Sequence, residues 1–296
     1  MRKNVFMKNL FGKVRKENNV HEYWLKKQFP DIMAFMSAVN VLMVGDVCAT
    51  IGVLAVQKCL PALIQEYAVD FTVLNAENAL EGEGLDEALA KVFFNAGADV
   101  ISGGNHSLQN FALRKNFLQI EQVLRPANIP DVGGSGITLL QKAGAKFCVV
   151  NLLGRENMRL ADSPFAFADR FFPDAPDCFR IVDFHAEAAE EKEAFGLYLD
   201  GRVSIVAGTH THVQTADEKI LPNGTAYISD IGFVGAEYSV IGSRPAFALE
   251  RQQKFFSAEK RWAERGDAVF SAILVCLDSE TKKAQRITRI LKTLKV

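Results

Sequence analysis

Cysteine is sparse and unpatterned in this chain: Cys48, Cys59, Cys148, Cys178 and Cys276 are odd in number and none forms a CxxC pair. Neither a disulfide framework nor a zinc–thiolate cluster is expected, and the scattered thiols suit a reducing, cytoplasmic setting. No apolar run reaches the roughly 18 residues that cross a bilayer. The nearest candidate, residues 32–45, is interrupted by Asn40 and followed at once by Asp46, so neither a membrane span nor a signal peptide is expected. A dominant sign of charge is missing too, with 34 Lys and Arg against 35 Asp and Glu and a formal net charge of -1. Such a chain has no global positive field to hold polymeric nucleic acid, whereas small anionic substrates stay open. Rossmann, Walker and GxSxG motifs are absent, and Cys48 has no evident base partner in the sequence, so it reads as packing. Gly133-Gly134-Ser135-Gly136 is glycine-rich but follows Pro130 in a loop, and flexibility is its expected meaning rather than phosphate binding.

What is present is an ordinary globular composition, 49% hydrophobic and 23% charged. Residues 1–36 stand apart: Arg2, Lys3, Lys8, Lys13, Arg15, Lys16, Lys26 and Lys27 face only Glu17, Glu22 and Asp31. This stretch reads as a dispensable basic extension or the product of an upstream start, Met36 lying just before the first strand pattern. An amphipathic helix is the other reading, with Phe6, Leu10, Phe11 and Val14 on one side. Residues 37–296 read as one domain. Strands are expected at 41–45, 71–75, 99–102, 146–151, 180–184 and 203–208, and helices at 52–67, 85–95, 109–123 and 186–199. The alternation signals βαβ units and a largely parallel sheet. Later, Asn223-Gly224 marks a hairpin between 219–221 and 225–228, and a second hairpin pairs 268–277 with 283–290.

The chemistry-bearing residues fall at strand ends. Four of the five histidines, His106, His185, His210 and His212, follow predicted strands; His21 does not. Asp46 follows the first strand, Glu77-Asn78 the second and Asn105 the third, and open α/β sheets bind ligands beyond the carboxyl ends of strands. Each residue alone has an ordinary reading: Asp46 a turn former, Asn105 a helix cap, His185 a hydrogen-bonded core histidine. Their recurrence at successive strand ends points instead to adjacent metal sites of mixed N and O donors, which favour Fe, Mn or Zn over Mg, Ca or Cu. Two cations about 3.5–4 Å apart can acidify water and clamp a phosphoryl group. His106, next to Asn105, is then placed to act as general acid.

Through Gly45-Asp46-Val47, Asn75-Ala76-Glu77-Asn78-Ala79, Gly104-Asn105-His106, Asp183-Phe184-His185-Ala186-Glu187 and Gly208-Thr209-His210-Thr211-His212, the chain resembles the bacterial YmdB-like family. That family is a branch of the calcineurin-like metallophosphoesterases described as 2',3'-cyclic-nucleotide 2'-phosphodiesterases. Leu124-Arg125-Pro126-Ala127-Asn128 and Leu221-Pro222-Asn223-Gly224-Thr225-Ala226-Tyr227 extend the likeness. The resemblance implies an α/β fold, a central β-sandwich of mixed sheets flanked by helices. It implies that Asp46, Asn78 and His212 hold one metal, that Asn105, His185 and His210 hold the other, that Glu77 bridges them and that His106 donates a proton. Two metal ions, Fe or Mn foremost, a small phosphodiester or cyclic-nucleotide substrate and homo-oligomers are expected with it. Ala49 and Val53 stand where the family pattern has glycine and arginine, and Ser107-Leu108 stand where it has Thr-Trp. A metal-binding regulatory protein with vestigial activity and a phosphomonoesterase remain as alternative readings.

Overall fold

The structure, a computed structural model, describes residues 38–82, 84–109, 120–130, 132–158, 161–174, 177–254 and 261–296. The basic 1–36 segment and most of the helix expected over 109–123 lie outside the described residues.

The early βαβ pattern builds parallel ladders. In the first sheet β1 (Ala38–Val44), β3 (Phe71–Asn75) and β4 (Val100–Ser102) run parallel, with crossovers through α1 (Ala49–Glu66) and α2 (Glu87–Ala96). Local signals fix α2: Asp86 accepts the Leu89 N–H at its start, and Gly97, at φ 110°, ends it in the left-handed conformation that glycine adopts without strain. In the second sheet β6 (Ala145–Leu153), β7 (Phe179–His185), β8 (Ile205–Thr209) and β10 (Ala226–Ile228) are parallel neighbours, and α4 (Ala189–Tyr198) carries the chain from β7 to β8.

Both sheets also carry antiparallel strands beside the early parallel set, giving the pair of mixed sheets, flanked by helices, that the resemblance implies. β12 (Ala268–Asp278) lies antiparallel to β1 and β13 (Ala284–Leu294), the second hairpin foreseen in the sequence. β9 (Lys219–Ile220) pairs antiparallel with β10 across the Asn223-Gly224 turn. β5 (Ile137–Lys142), antiparallel to β6, and β11 (Phe233–Ala236), which joins β12 to the two-residue β2 (Asp46–Val47), had no clear sequence signal. Nor had α3 (Pro164–Phe171) and α5 (Pro245–Gln253).

Three apolar layers follow from this arrangement. Val41, Met43, Phe71, Val73, Phe147, Val149, Phe179 and Ile181 fill the space between the sheets. Leu42, Val44 and Leu74, their chain neighbours, face outward against α1 and α2, while Val150, Val182 and Phe184 pack under α3 and α4. Strands buried on both faces need apolar residues in unbroken runs, which is why they were legible. Phe71 stacks on Phe147 at 4.0 Å between ring centroids and Phe147 on Phe179 at 5.3 Å, tying one sheet to the other. Each fully buried ring of this kind contributes roughly 1.5–3 kcal/mol.

Gly133-Gly134-Ser135-Gly136 is tied down rather than flexible. Arg125 donates from its guanidinium to the carbonyls of Gly133, Pro126, Ile129 and Val132, and Asn151 N–H bonds the Gly136 carbonyl.

One ion pair holds the end of β8 in place. Lys192 on α4 is 2% exposed and its Nζ lies 2.8 Å from Asp230 Oδ2, just beyond β10. Asp230 also accepts the N–H groups of Thr211 and Gly232. Removing the ammonium leaves a buried carboxylate without its counter-charge, a change that costs about 3–5 kcal/mol. Lys192→Met is expected to lower the urea midpoint of unfolding by a corresponding amount; an unchanged midpoint would show that the pair is dispensable.

Candidate metal centre

The parallel strands of both sheets end on one rim, and the polar residues that follow them meet there. Asp46 and Glu77 are 0% and 2% exposed, and His185 is 0% exposed. Asp46 Oδ2 accepts the His210 N–H at 3.0 Å. Glu77 Oε1 stands 3.3 Å from His185 Nε2 and accepts from Asn78 Nδ2 at 2.9 Å. Around the same Nε2 lie Asn105 Oδ1 at 2.9 Å and His210 Nδ1 at 3.0 Å. Asn78 Nδ2 is 3.2 Å from His212 Nε2, which carries the chain of contacts to the last histidine. All seven candidate ligands thus share one contiguous cluster, although no single motif holds more than two of them.

The backbone is strained to bring them there. His210 has φ 108° and His212 φ 62°, conformations unusual for side chains larger than glycine. Such geometry persists only where surroundings enforce it. Here Asp46 grips the His210 N–H and Asp230 the Thr211 N–H, each at 3.0 Å. His212 is further held by Nδ1 against the Ile241 carbonyl at 3.0 Å and by stacking on Phe233. Ala49, where the family pattern has glycine, also takes a positive φ of 50° as α1 begins.

Whether cations suit these residues can be tested on atoms left without partners. Asp46 Oδ1 and Asn78 Oδ1 are buried and accept no hydrogen bond. Buried polar atoms are nearly always paired, so two orphan oxygens in one cluster are a specific signal for a missing positive charge. Gly104 leaves the room: a Cβ there would fall 2.3 Å from both Glu77 Oε2 and His185 Nε2. Glu77, His185 and His210 present donor atoms all within 4.8 Å of one another. The residues therefore fit a cation site.

Charge bears this out. Burial raises the Asp46 carboxyl well above the usual range. For Glu77, burial is overridden by the His185 ring, and its pKa is held well below the usual carboxylate range. Burial likewise opposes charge on His185, but Glu77 beside it, helped by Asp46 and Asp183, pushes its pKa up to about 9. Burial and the neighbouring His185 push His210 down to about 3. The cluster thus draws a proton onto one imidazole and keeps the next one neutral, the behaviour of a site with surplus negative charge.

His106 sits at the rim. Its N–H donates to Glu77 Oε2 at 2.9 Å, while Nδ1 is buried without a partner. Ser107, one of the two family departures here, closes the turn by accepting the Gly104 N–H at 2.8 Å. Cys48 is buried against Ala49 and Trp262, as a packing residue should be, yet it is not remote from a base: its Sγ lies 3.7 and 3.9 Å from the His212 ring nitrogens.

Sequence reasoning gave no role to Asn75, Asp183, Glu187, Lys192, Thr209 or Asp230, all of which support the cluster. Glu187 Oε2 meets His210 Nε2 at 2.9 Å. Asn75 accepts the Glu77 N–H at 3.1 Å and donates to Gly103 and Asp183. A signal existed for Asp183, a carboxylate inside an otherwise apolar strand run; Lys192 had none, since it lies in a run of charges.

Residues 42–290 match the sequence model of the family described as YmdB-like protein. A 2',3'-cyclic-nucleotide 2'-phosphodiesterase of Bacillus subtilis (strain 168) is 39% identical over 255 residues, which span 85% of this chain and 96% of that protein. The crystal structure of a novel phosphatase from Mycoplasma pneumoniae aligns with a TM-score of 0.82 at 29% identity, covering 87% of this chain and 94% of that one. Haemophilus influenzae NAD nucleotidase, 16% identical with a TM-score of 0.51, shares the fold over 87% of this chain and 56% of its own. The sandwich of mixed sheets is accordingly a metallophosphoesterase fold. With the match running from the first strand to the last, and with near-complete coverage of the Bacillus subtilis relative, the chain belongs to the YmdB-like protein family.

Proposed function

We propose that this chain is a metal-dependent phosphodiesterase that hydrolyses small phosphodiesters, 2',3'-cyclic nucleotides foremost. Its standing as an enzyme rests on the family and on the phosphodiesterase relative of Bacillus subtilis. The observation that carries the site assignment is the pair of orphan oxygens, Asp46 Oδ1 and Asn78 Oδ1, beside three converging imidazoles. In this reading Asp46, Asn78 and His212 would hold one cation, Asn105, His185 and His210 would hold the second, and Glu77 would serve both. Such a pair of cations supplies Lewis-acid charge to a phosphoryl group and acidifies water. Mixed N and O donors favour Fe or Mn, with Zn as a further candidate.

The chain's own groups supply the rest. Because His106 Nδ1 is enclosed, Nε2 is the atom left to give a proton to the departing ribose oxygen. The Glu77 contact to the His106 N–H fixes that residue relative to the bridging carboxylate.

The remaining expectations belong to the same proposal. The few, unpatterned cysteines agree with a cytoplasmic setting, and no helix among the described residues is long and apolar enough to cross a membrane. Self-association follows from the family resemblance.

Purified protein loaded with Fe or Mn is expected to cleave 2',3'-cyclic nucleotides and bis(p-nitrophenyl) phosphate faster than the matching monoesters. No turnover on either diester would refute the assignment, and a preference for monoesters would replace it with a phosphomonoesterase. His106→Ala is expected to reduce kcat by roughly 10²–10⁴-fold, the usual worth of a positioned acid, with metal content unchanged. Equal kcat in the variant would remove His106 from the mechanism.

A further inference from the structure

His185 is wholly buried, and its two ring nitrogens face different chemistry. Nδ1 lies 2.9 Å from Thr209 Oγ1, and that hydroxyl donates to Asp183 Oδ1 at 2.7 Å. The other oxygen of Asp183 receives Ser102 Oγ and, at 3.0 Å, Asn75 Nδ2. The Asn75 amide cannot be turned around, because its Oδ1 accepts the Glu77 N–H and its Nδ2 donates to the Gly103 carbonyl. Asp183 is therefore ringed by donors.

A hydroxyl has a single hydrogen, and the Thr209 hydrogen is committed to Asp183. Toward His185 the Thr209 oxygen can only accept, which puts a hydrogen on Nδ1. Asn75 Nδ2, 3.5 Å from the same oxygen, approaches it as a donor as well. When a cation takes the place of the second ring proton, Nε2 is the nitrogen left to offer a lone pair, and it is the one that faces Asn105 Oδ1, Glu77 Oε1 and His210 Nδ1.

We propose that Thr209 and Asp183 are positioning residues which lock His185 into the Nδ1–H tautomer, so that Nε2 is kept as a cation donor. The proposal rests on the two-cation reading above and adds to it that affinity in the His185 half of the centre depends on a hydroxyl touching no cation. Thr209 is also held in place independently of any ligand: it ends β8 and is 1% exposed. A histidine that binds metal commonly donates its other N–H to an acceptor, and loss of that acceptor typically weakens metal binding 10–100-fold. Here the acceptor is a hydroxyl, which can accept only because a carboxylate behind it takes its hydrogen.

The test compares metal-free wild type, Thr209→Ser and Thr209→Val by calorimetric titration with Zn²⁺, backed by elemental analysis. Wild type and Thr209→Ser are expected to bind two equivalents alike, while Thr209→Val, equal in shape but without the hydroxyl, loses about 10–100-fold in affinity for one of them. Side-chain ¹⁵N spectra of the zinc-loaded wild type, with His185 assigned by its loss in His185→Asn, are expected to show hydrogen on Nδ1. These spectra decide the matter even if Thr209→Val fails to fold. Two equivalents bound as tightly by Thr209→Val as by wild type, or a His185 with hydrogen on Nε2, would overturn the relay and leave the two-cation reading standing. A wild type that binds no Zn²⁺ would overturn both.

Discussion

Three carboxylates, Asp46, Glu77 and Asp183, are buried around one imidazole, His185, and the charge of the first two, which neighbouring donors only partly meet, is the constraint that the rest of the rim obeys. Burying an isolated carboxylate is among the costliest acts in folding, so such groups are found with counter-charges, donors or metals. Asp183 has donors on both oxygens and Asp230 has Lys192. Asp46 and Glu77 have only backbone N–H groups, one amide and the shared His185. A centre in this condition takes up protons or cations, and the fold supplies room for the latter at Gly104.

The architecture explains why such a cluster can be assembled without unfolding the protein. Parallel strands from two sheets end on the same rim, so residues that are far apart in sequence arrive together on short, rigid connections. The apolar layers anchor those strands on both faces, and the strain at His210 and His212 is held by two carboxylates that are themselves fixed. Ala49 and Ser107, where the resemblance implies other residues, are both tied to the cluster's edge, the Ala49 N–H by the Asn78 carbonyl and the Ser107 hydroxyl by the Gly104 N–H.

Much of this was written plainly in the sequence. Apolar runs with a polar residue at the end gave β1, β3, β7 and β8, and Asn223-Gly224 gave the hairpin of β9 and β10. The same pattern gave every candidate ligand, because strand ends are where a run of one chemistry stops and another starts. β5 and β11 were not legible: one is an edge strand of mixed character, the other a run of only four residues, Phe233–Ala236, interrupted by Gly235 and too short to show a period. Lys192 was hidden for a different reason. In Glu190-Glu191-Lys192-Glu193 it looks like one more solvated charge, and only the position of Asp230 beyond β10 makes it buried. The glycine stretch 133–136 misled in the same way, since the Arg125 guanidinium that pins it cannot be inferred from the glycines themselves.

The central claim is that this buried anionic cluster exists to hold two cations on either side of Glu77. Anomalous scattering from crystals grown with Mn²⁺ tests it most directly. The account predicts two peaks, one contacted by Asp46, Asn78 and His212 and the other by Asn105, His185 and His210. An anomalous map without density between these side chains, in crystals where they keep the arrangement described, would contradict it.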